Sequence, residues 1–176
     1  MKKQKALFLD RDGIINIDHG YVSKKEHFEF SEGIFELLHL FSKKGYLLFI
    51  VTNQSGIGRG YYTLTAFHTL TQWMLKTLKK ENIHIEKVTY CPHAPEEKCR
   101  CRKPETGMVK EILNEYAIDL SHSWLMGDKQ SDIDLAHNSG IAKSISIGTQ
   151  PLQNKDLHFK SISQTLQYFL NHPHTF

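Results

Sequence analysis

The segment Lys5-Ala6-Leu7-Phe8-Leu9-Asp10-Arg11-Asp12-Gly13 changes character at a single position. After Lys5, four apolar residues of strand length run straight into a carboxylate. An unbroken apolar strand is the kind buried on both faces, as in a parallel sheet covered by helices. Working outward, Tyr46–Thr52 repeats the pattern, and shorter runs follow at Lys87–Tyr90, Ser123–Met126 and Lys143–Ile147. Helical periodicity fills the gaps. Ile34, Leu37, Leu38 and Phe41 fall at i, i+3, i+4 and i+7 behind a Ser31 cap and ahead of Gly45. Further helices are predicted over Thr63–Lys80, Gly107–Tyr116, Asp132–Ser139 and Ser161–Leu170. This alternation predicts an α/β fold, a three-layer doubly wound parallel sheet. Such sheets place their sites beyond the carboxyl ends of the strands.

The 176 residues suit one domain over 1–176 with a sizeable core. A net charge of +3 suits an anionic small molecule without arguing for nucleic acid. The lysines are scattered in pairs, not gathered into a stripe. The apolar run Ala6–Leu9 is too short for a leader, and no stretch reaches the roughly 20 residues of a membrane span. A cytoplasmic protein with no membrane partner is therefore expected, as a monomer, with its three cysteines reduced.

The strand ends carry the chemistry. Asp10 and Asp12, at the first, can divide two tasks: one carboxylate attacks phosphorus, the other protonates the leaving oxygen and later activates water. An isolated Asp-x-Asp-Gly is more often a solvated turn. The second end, Thr52-Asn53-Gln54-Ser55-Gly56, offers a hydroxyl, two amides and backbone N–H groups to phosphate oxygens. Arg102 and Lys103 follow the third strand and can neutralise phosphate charge. The fourth end, Gly127-Asp128-Lys129, supplies a carboxylate able to share a hard cation such as magnesium with Asp10. Asp132 either steadies Lys103, or a metal-bound water, or merely opens the next helix. Each signal is modest, but their order along successive strands is hard to obtain from unrelated turns.

All three cysteines lie within eleven residues, in Cys91-Pro92-His93 and Cys99-Arg100-Cys101. Three thiolates and an imidazole make a closed tetrahedral zinc site, structural because no position stays open. The loop 91–101 is too polar for a core cysteine cluster, with Glu96, Glu97, Lys98 and Arg100 inside it. Arg102 and Lys103 leave directly from the last ligand, so a pinned Cys101 would aim both cations.

These motifs resemble the haloacid dehalogenase superfamily of aspartate-nucleophile phosphatases over roughly residues 5–150. Phe8-Leu9-Asp10-Arg11-Asp12-Gly13, Thr52-Asn53, Lys103, and Gly127-Asp128 with Asp132 match its four motifs in turn. Asp18-His19-Gly20-Tyr21, Gln54-Ser55-Gly56-Ile57, Arg59-Gly60, Cys91-Pro92-His93 and Cys99-Arg100-Cys101-Arg102-Lys103-Pro104 are similar to the subfamily of sugar-bisphosphate and histidinol-phosphate phosphatases. The resemblance implies Asp10 as nucleophile and Asp12 as proton donor, with Thr52, Arg102 and Lys103 stabilising the phosphoryl group. It implies magnesium on Asp10, Asp128 and the carbonyls of Asp12 and Lys129, and zinc on Cys91, His93, Cys99 and Cys101. Arg11, Asp18, His19, Gly20, Tyr21, Asn53, Gln54, Ser55 and Arg59 are implied to meet substrate. Ile14 departs from the superfamily's usual Thr or Val, and the five residues between His93 and Cys99 are a short spacer for the subfamily.

No interval between the motifs has room for a folded cap. Water exclusion is therefore expected from the loops Asn16–Phe30, Gly56–Tyr62 and the zinc loop. The implied substrate is a small phosphorylated sugar, first the 7-phosphate of a heptose 1,7-bisphosphate and in second place histidinol phosphate. A 3′-phosphatase of nucleic-acid ends and a non-catalytic zinc-stabilised module are the other readings to test.

Overall fold

The computed structural model describes residues 2–176. Its core is a six-stranded, wholly parallel sheet in the order β3-β2-β1-β4-β5-β6. The strands are β1 (Ala6–Leu9), β2 (Leu47–Asn53), β3 (Lys87–Cys91), β4 (Trp124–Gly127), β5 (Lys143–Ile147) and β6 (Leu157–Phe159). The helices are α1 (Ile34–Lys43), α2 (Ser55–Gly58), α3 (Leu64–Lys80), α4 (Gly107–Glu115), α5 (Gln130–Ser139) and α6 (Ile162–Asn171). The order of strands reverses between β1 and β4, the switch point at which an open α/β sheet leaves a crevice.

Strand alternation sorts the side chains into two cores. Leu7, Leu9, Leu48, Ile50, Trp124 and Met126 point to the face covered by α1, α3 and α6, against Leu37, Phe41, Met74, Leu78 and Phe169. Ala6, Phe8, Phe49, Val51 and Leu125 point the other way, against Met108, Val109 and Ile112 of α4 and Leu135 and Ala136 of α5. Three layers result, as the apolar runs predict. Between β1 and β2 the chain carries a loop and α1, and between β2 and β3 only α2 and α3, so among the described residues no further folded layer stands over the strand ends. Among the described residues no helix is long and apolar enough to cross a membrane.

Two local expectations are corrected. Ser31 does not cap α1. Gly33, at φ 82°, precedes Ile34, and Ser31 only accepts the Ile34 N–H on its carbonyl at 3.1 Å. Ser31 is instead tied to the preceding loop through its N–H on the Ile15 carbonyl, 3.0 Å. Gly33 also lies against α6, where a Cβ would stand 3.3 Å from the Ser163 hydroxyl. The tail after Gln150 adds an unexpected strand, β6, pairing Ile145 with Leu157 and Ile147 with Phe159. Its three half-buried residues contain no apolar run for a sequence reading to find.

Phe49 is fully buried, stacked on Phe8 at 5.5 Å and edge-on to Tyr116 at 5.0 Å. Phe49→Ala should cost about 3–5 kcal/mol of unfolding free energy, read as a lowered urea midpoint at unchanged m-value.

Candidate active site

The chain leaves β1 at Asp10 and turns at once, because the N–H groups of Ile14, Ile15 and Asn16 all reach the Arg11 carbonyl. This tight loop brings Gly13 against β4. With φ at +89°, Gly13 adopts a conformation that side chains rarely take, and a Cβ there would lie 2.2 Å from Asp128 Oδ2. Only glycine lets the first strand end close on the fourth. The loop then pairs Asn16 with Phe30 and projects Asp18–Tyr21 over the cleft.

At the centre is the Lys103 ammonium, 4% exposed as a residue. It pairs with Asp10 Oδ1 at 2.9 Å and Asp132 Oδ1 at 2.7 Å, and donates to the Val51 carbonyl at 2.9 Å. Burial alone would drive Lys103 toward the neutral amine, but the two carboxylates overrule it and raise its pKa. Burial raises Asp10, with Lys103 opposing and Asp132 adding to the rise. Asp132 settles two of the roles left open for it. Oδ1 holds Lys103, while Oδ2 accepts the Lys129 N–H at 3.1 Å and so opens α5. Gly127 makes this possible, since a Cβ there would overlap the Asp132 carboxyl at 2.2 Å.

Asp10, Asp128 and Asp132 each bring a carboxylate oxygen within 4.8 Å of the others. Asp128 is pushed up to about 7, first by burial and then by the Asp10 charge. Its Oδ1 is buried with no protein donor. An orphaned carboxylate oxygen beside a second carboxylate is what a hard, oxygen-seeking cation would complete. Asp10 Oδ1 already takes the Arg11 N–H at 2.7 Å and the Lys103 ammonium, and among the described residues no donor bonds to Oδ2.

Above Asp10 opens a cleft of about 340 Å3 lined by Asp12, Asp18, Gly20, Tyr21, Asn53, Gln54, Ser55, Tyr62, Arg102, Lys103, Lys129 and Ser131. Asp12 is gripped on Oδ1 by Asn16 Nδ2 at 2.9 Å and by Arg11, and on Oδ2 by Gln54 Nε2 at 3.0 Å. Arg102 keeps one buried guanidinium nitrogen without a partner, as a residue awaiting an anion would. Lys129 reaches Asp18 at 3.4 Å.

Several residues expected to meet substrate are placed otherwise. Arg11 is 1% exposed, bound to Asp12 and the Val22 carbonyl, and sandwiched between Phe28 and Phe67, so it holds Asp12 and faces no ligand. His19 turns outward to Glu29 at 3.2 Å. Arg59 is exposed and outside the cleft lining. Asn53 lines the cleft, but its amide clamps the Lys103 backbone, accepting its N–H at 2.9 Å and donating to its carbonyl at 3.4 Å. Gln54 is engaged on both ends of its amide by protein groups. Tyr62 was expected in a water-excluding loop, either stacking on the sugar or packing as an anchor, and its hydroxyl reaches Gln54 inside the cleft. The expected contacts Asp18, Gly20, Tyr21 and Ser55 do line it.

The cysteine loop closes as a knot beside β3. Cys91, His93, Cys99 and Cys101 bring their donor atoms within 4.8 Å of one another, with His93 Nδ1 3.2 Å from Cys101 Sγ and Cys91 Sγ 3.4 Å from Cys99 Sγ. Burial opposes ionisation of Cys99, but the Arg102 N–H and the neighbouring thiols prevail and pull it down to about 6. Burial raises Cys91. The knot anchors its surroundings as well, since Gln54 and Gly58 donate their N–H groups to the carbonyls of Cys91 and Pro92 at 2.8 Å each.

A family profile described as HAD-hydrolase-like matches residues 100–167. Together with the relatives below, it shows that the chain belongs to the haloacid dehalogenase-like phosphatases. More particularly, it is 49% identical over 154 residues to D-glycero-beta-D-manno-heptose-1,7-bisphosphate 7-phosphatase of Helicobacter pylori, spanning 87% of this chain and 89% of that one. It is 45% identical over 168 residues to D-glycero-alpha-D-manno-heptose-1,7-bisphosphate 7-phosphatase of Campylobacter jejuni, spanning 95% and 96%. Among solved structures, the D,D-heptose 1,7-bisphosphate phosphatase of B. bronchiseptica, complexed with magnesium and phosphate, shares the fold. Its TM-score is 0.81 at 23% identity, over 96% of this chain and 99% of that one.

Asp132→Ala should strand the buried Lys103 ammonium on one carboxylate, lowering stability by about 3–5 kcal/mol in a denaturant titration. Gly13→Ala should lower phosphatase kcat about 100-fold, because the Cβ must displace Asp128 by an ångström or more.

Proposed function

We propose that the protein removes the 7-phosphate of a D-glycero-D-manno-heptose 1,7-bisphosphate through an aspartyl-phosphate intermediate. The chemistry rests on one observation, the meeting of Asp10 and Asp128 beside a lysine that already neutralises Asp10. The choice of sugar rests on the relatives' names. Two relatives of nearly equal identity carry opposite anomers in those names, so the proposal extends to both.

In this reading Asp10 attacks phosphorus through the oxygen that no protein donor holds. Asp12 protonates the departing sugar oxygen, then takes a proton from the water that cleaves the acyl phosphate. Thr52, Lys103 and Arg102 hold the phosphoryl oxygens as negative charge spreads over them. Asp10, Asp128 and the carbonyls of Asp12 and Lys129 would hold magnesium, which when bound supplies further neutralisation of the phosphoryl group. Asp18, Tyr21 and Lys129 stand on the rim and would meet the sugar or its second phosphate.

The knot of three sulfurs and one nitrogen suits zinc, and four protein donors leave no open position for catalysis. Its task would be to set Arg102 and Lys103, the two residues that follow Cys101. A cytoplasmic monomer acting on a biosynthetic sugar phosphate toward surface polysaccharide completes the proposal.

Phosphate release should give a kcat/KM at least tenfold higher for one anomer of the heptose bisphosphate than for histidinol phosphate. The reverse preference would replace the proposed substrate with the alternative. Asp10→Asn should abolish turnover. Metal analysis of the purified protein should return about one zinc per chain, lost in Cys99→Ser together with most of the activity. Brief EDTA treatment should silence the native enzyme until magnesium is restored.

A further inference from the structure

With Asp12 ionised, the state in which it takes the proton from water, the hydrogen bonds around Gln54 run in one direction. Asp12 Oδ2 lies 3.0 Å from Gln54 Nε2, and an ionised carboxylate can only accept. The amide nitrogen must therefore face Asp12, and it also lies 2.9 Å from Thr52 Oγ1. That leaves Gln54 Oε1 as an acceptor, and the Tyr62 hydroxyl fills it at 2.5 Å. Burial pushes the Tyr62 phenol up to about 12, so it stays a neutral donor. Thr52, receiving a hydrogen bond from Gln54, has its own hydrogen left over, and no protein acceptor among the described residues takes it.

The arrangement is built, not incidental. Gln54 is 2% exposed. Its N–H is fixed on the Cys91 carbonyl at 2.8 Å. Tyr62 packs so tightly over α2 that a Cβ on Gly56 would stand 2.2 Å from its ring. The Tyr61 N–H closes the loop on the Gly56 carbonyl at 2.8 Å. If the amide flipped, its oxygen would confront the Asp12 carboxylate, and Thr52 would turn its hydrogen inward to meet it.

We propose that Tyr62 and Gln54 form a positioning relay, in which the tyrosine hydroxyl fixes the orientation of the Gln54 amide. That amide then aims the Asp12 carboxyl at the leaving oxygen and frees the Thr52 hydroxyl to donate to the phosphoryl group. The proposal rests on the phosphatase reading above, with Asp12 as proton donor. Neither relay residue touches the reacting atoms. Both act through Asp12 and Thr52.

The test is Tyr62→Phe in the full-length, magnesium-loaded enzyme, with a heptose bisphosphate and p-nitrophenyl phosphate as parallel substrates. A sugar alkoxide needs a proton to depart, whereas p-nitrophenolate leaves without one. The sugar substrate should therefore lose about 10- to 100-fold in kcat/KM, part of the about 10²–10⁴ that a placed acid supplies. The aryl phosphate should lose severalfold less. KM for the sugar should stay within about twofold. Gln54→Leu, of similar volume, should show the same unequal loss, and adding Tyr62→Phe to it should cost little more. Gln54→Leu alone decides the matter should Tyr62→Phe fail to fold, and melting temperatures report on both. Equal losses on the two substrates, or none, would overturn the relay while leaving the phosphatase reading intact. A wild-type enzyme that hydrolyses neither substrate would bring down both.

Discussion

The ammonium of Lys103 sits in a socket that no single segment could make. Asp10 comes from the end of β1, the Val51 carbonyl from within β2, Asp132 from the first turn of α5, and the lysine itself from the loop after β3. Burying one cation among two carboxylates carries a desolvation cost that only good geometry offsets. The socket therefore exists only when three crossovers have delivered four strand ends to the right register. It also brings the Asp10 carboxylate into line with Asp128, since the same charge that binds Asp10 Oδ1 leaves Oδ2 open. The geometry of the candidate site and correct assembly of these strands are thus the same condition.

The glycines at positions 13 and 127 are the steric half of that condition. Each occupies a place where a single methyl group would fall about 2 Å from a carboxyl group of the site. Close approach of backbone to side chain lets three carboxylates gather in a small volume, and burial, with their mutual repulsion, holds Asp128 well above the ordinary carboxylate range. With zinc bound as proposed, the cysteine knot would supply rigidity where hydrophobic packing cannot. Residues 92–103 are largely polar, and their last two members, Arg102 and Lys103, line the cleft. Asn53 ties the far end of that loop back to β2, so Lys103 is fixed from both sides.

Much of this was legible in the chain. β1, β2 and β4 appear as mainly apolar runs because they lie covered on both faces, while β3 and β5 mix apolar residues with buried Thr89, Ser144 and Ser146. The helices appear through the 3.6-residue period of Phe67, Leu70, Met74 and Leu78 and its counterparts. β6 escaped notice because an edge strand of three half-buried residues needs no apolar signature, only a neighbour to pair with. Arg11 and His19 were expected to meet substrate because the family resemblance implied it, from motif positions that carry no side-chain direction. The tight turn after Asp10 instead rotates Arg11 between Phe28 and Phe67, and Glu29 draws His19 outward.

What the sequence by itself determined is the kind of chemistry: which strands end in carboxylates, hydroxyl and lysine, and that three thiols and an imidazole lie close enough along the chain to share an ion. These follow from residue type and short-range spacing. Only the tertiary structure decided direction. It turned the Gln54 amide inward, set Asp132 on Lys103 as well as at the head of α5, and enlisted Tyr62, which stands outside the motif residues of its loop. The reason is physical. A hydrogen bond depends on angles and on which partner already holds the other lone pairs, and those are properties of packed neighbours far apart in the chain.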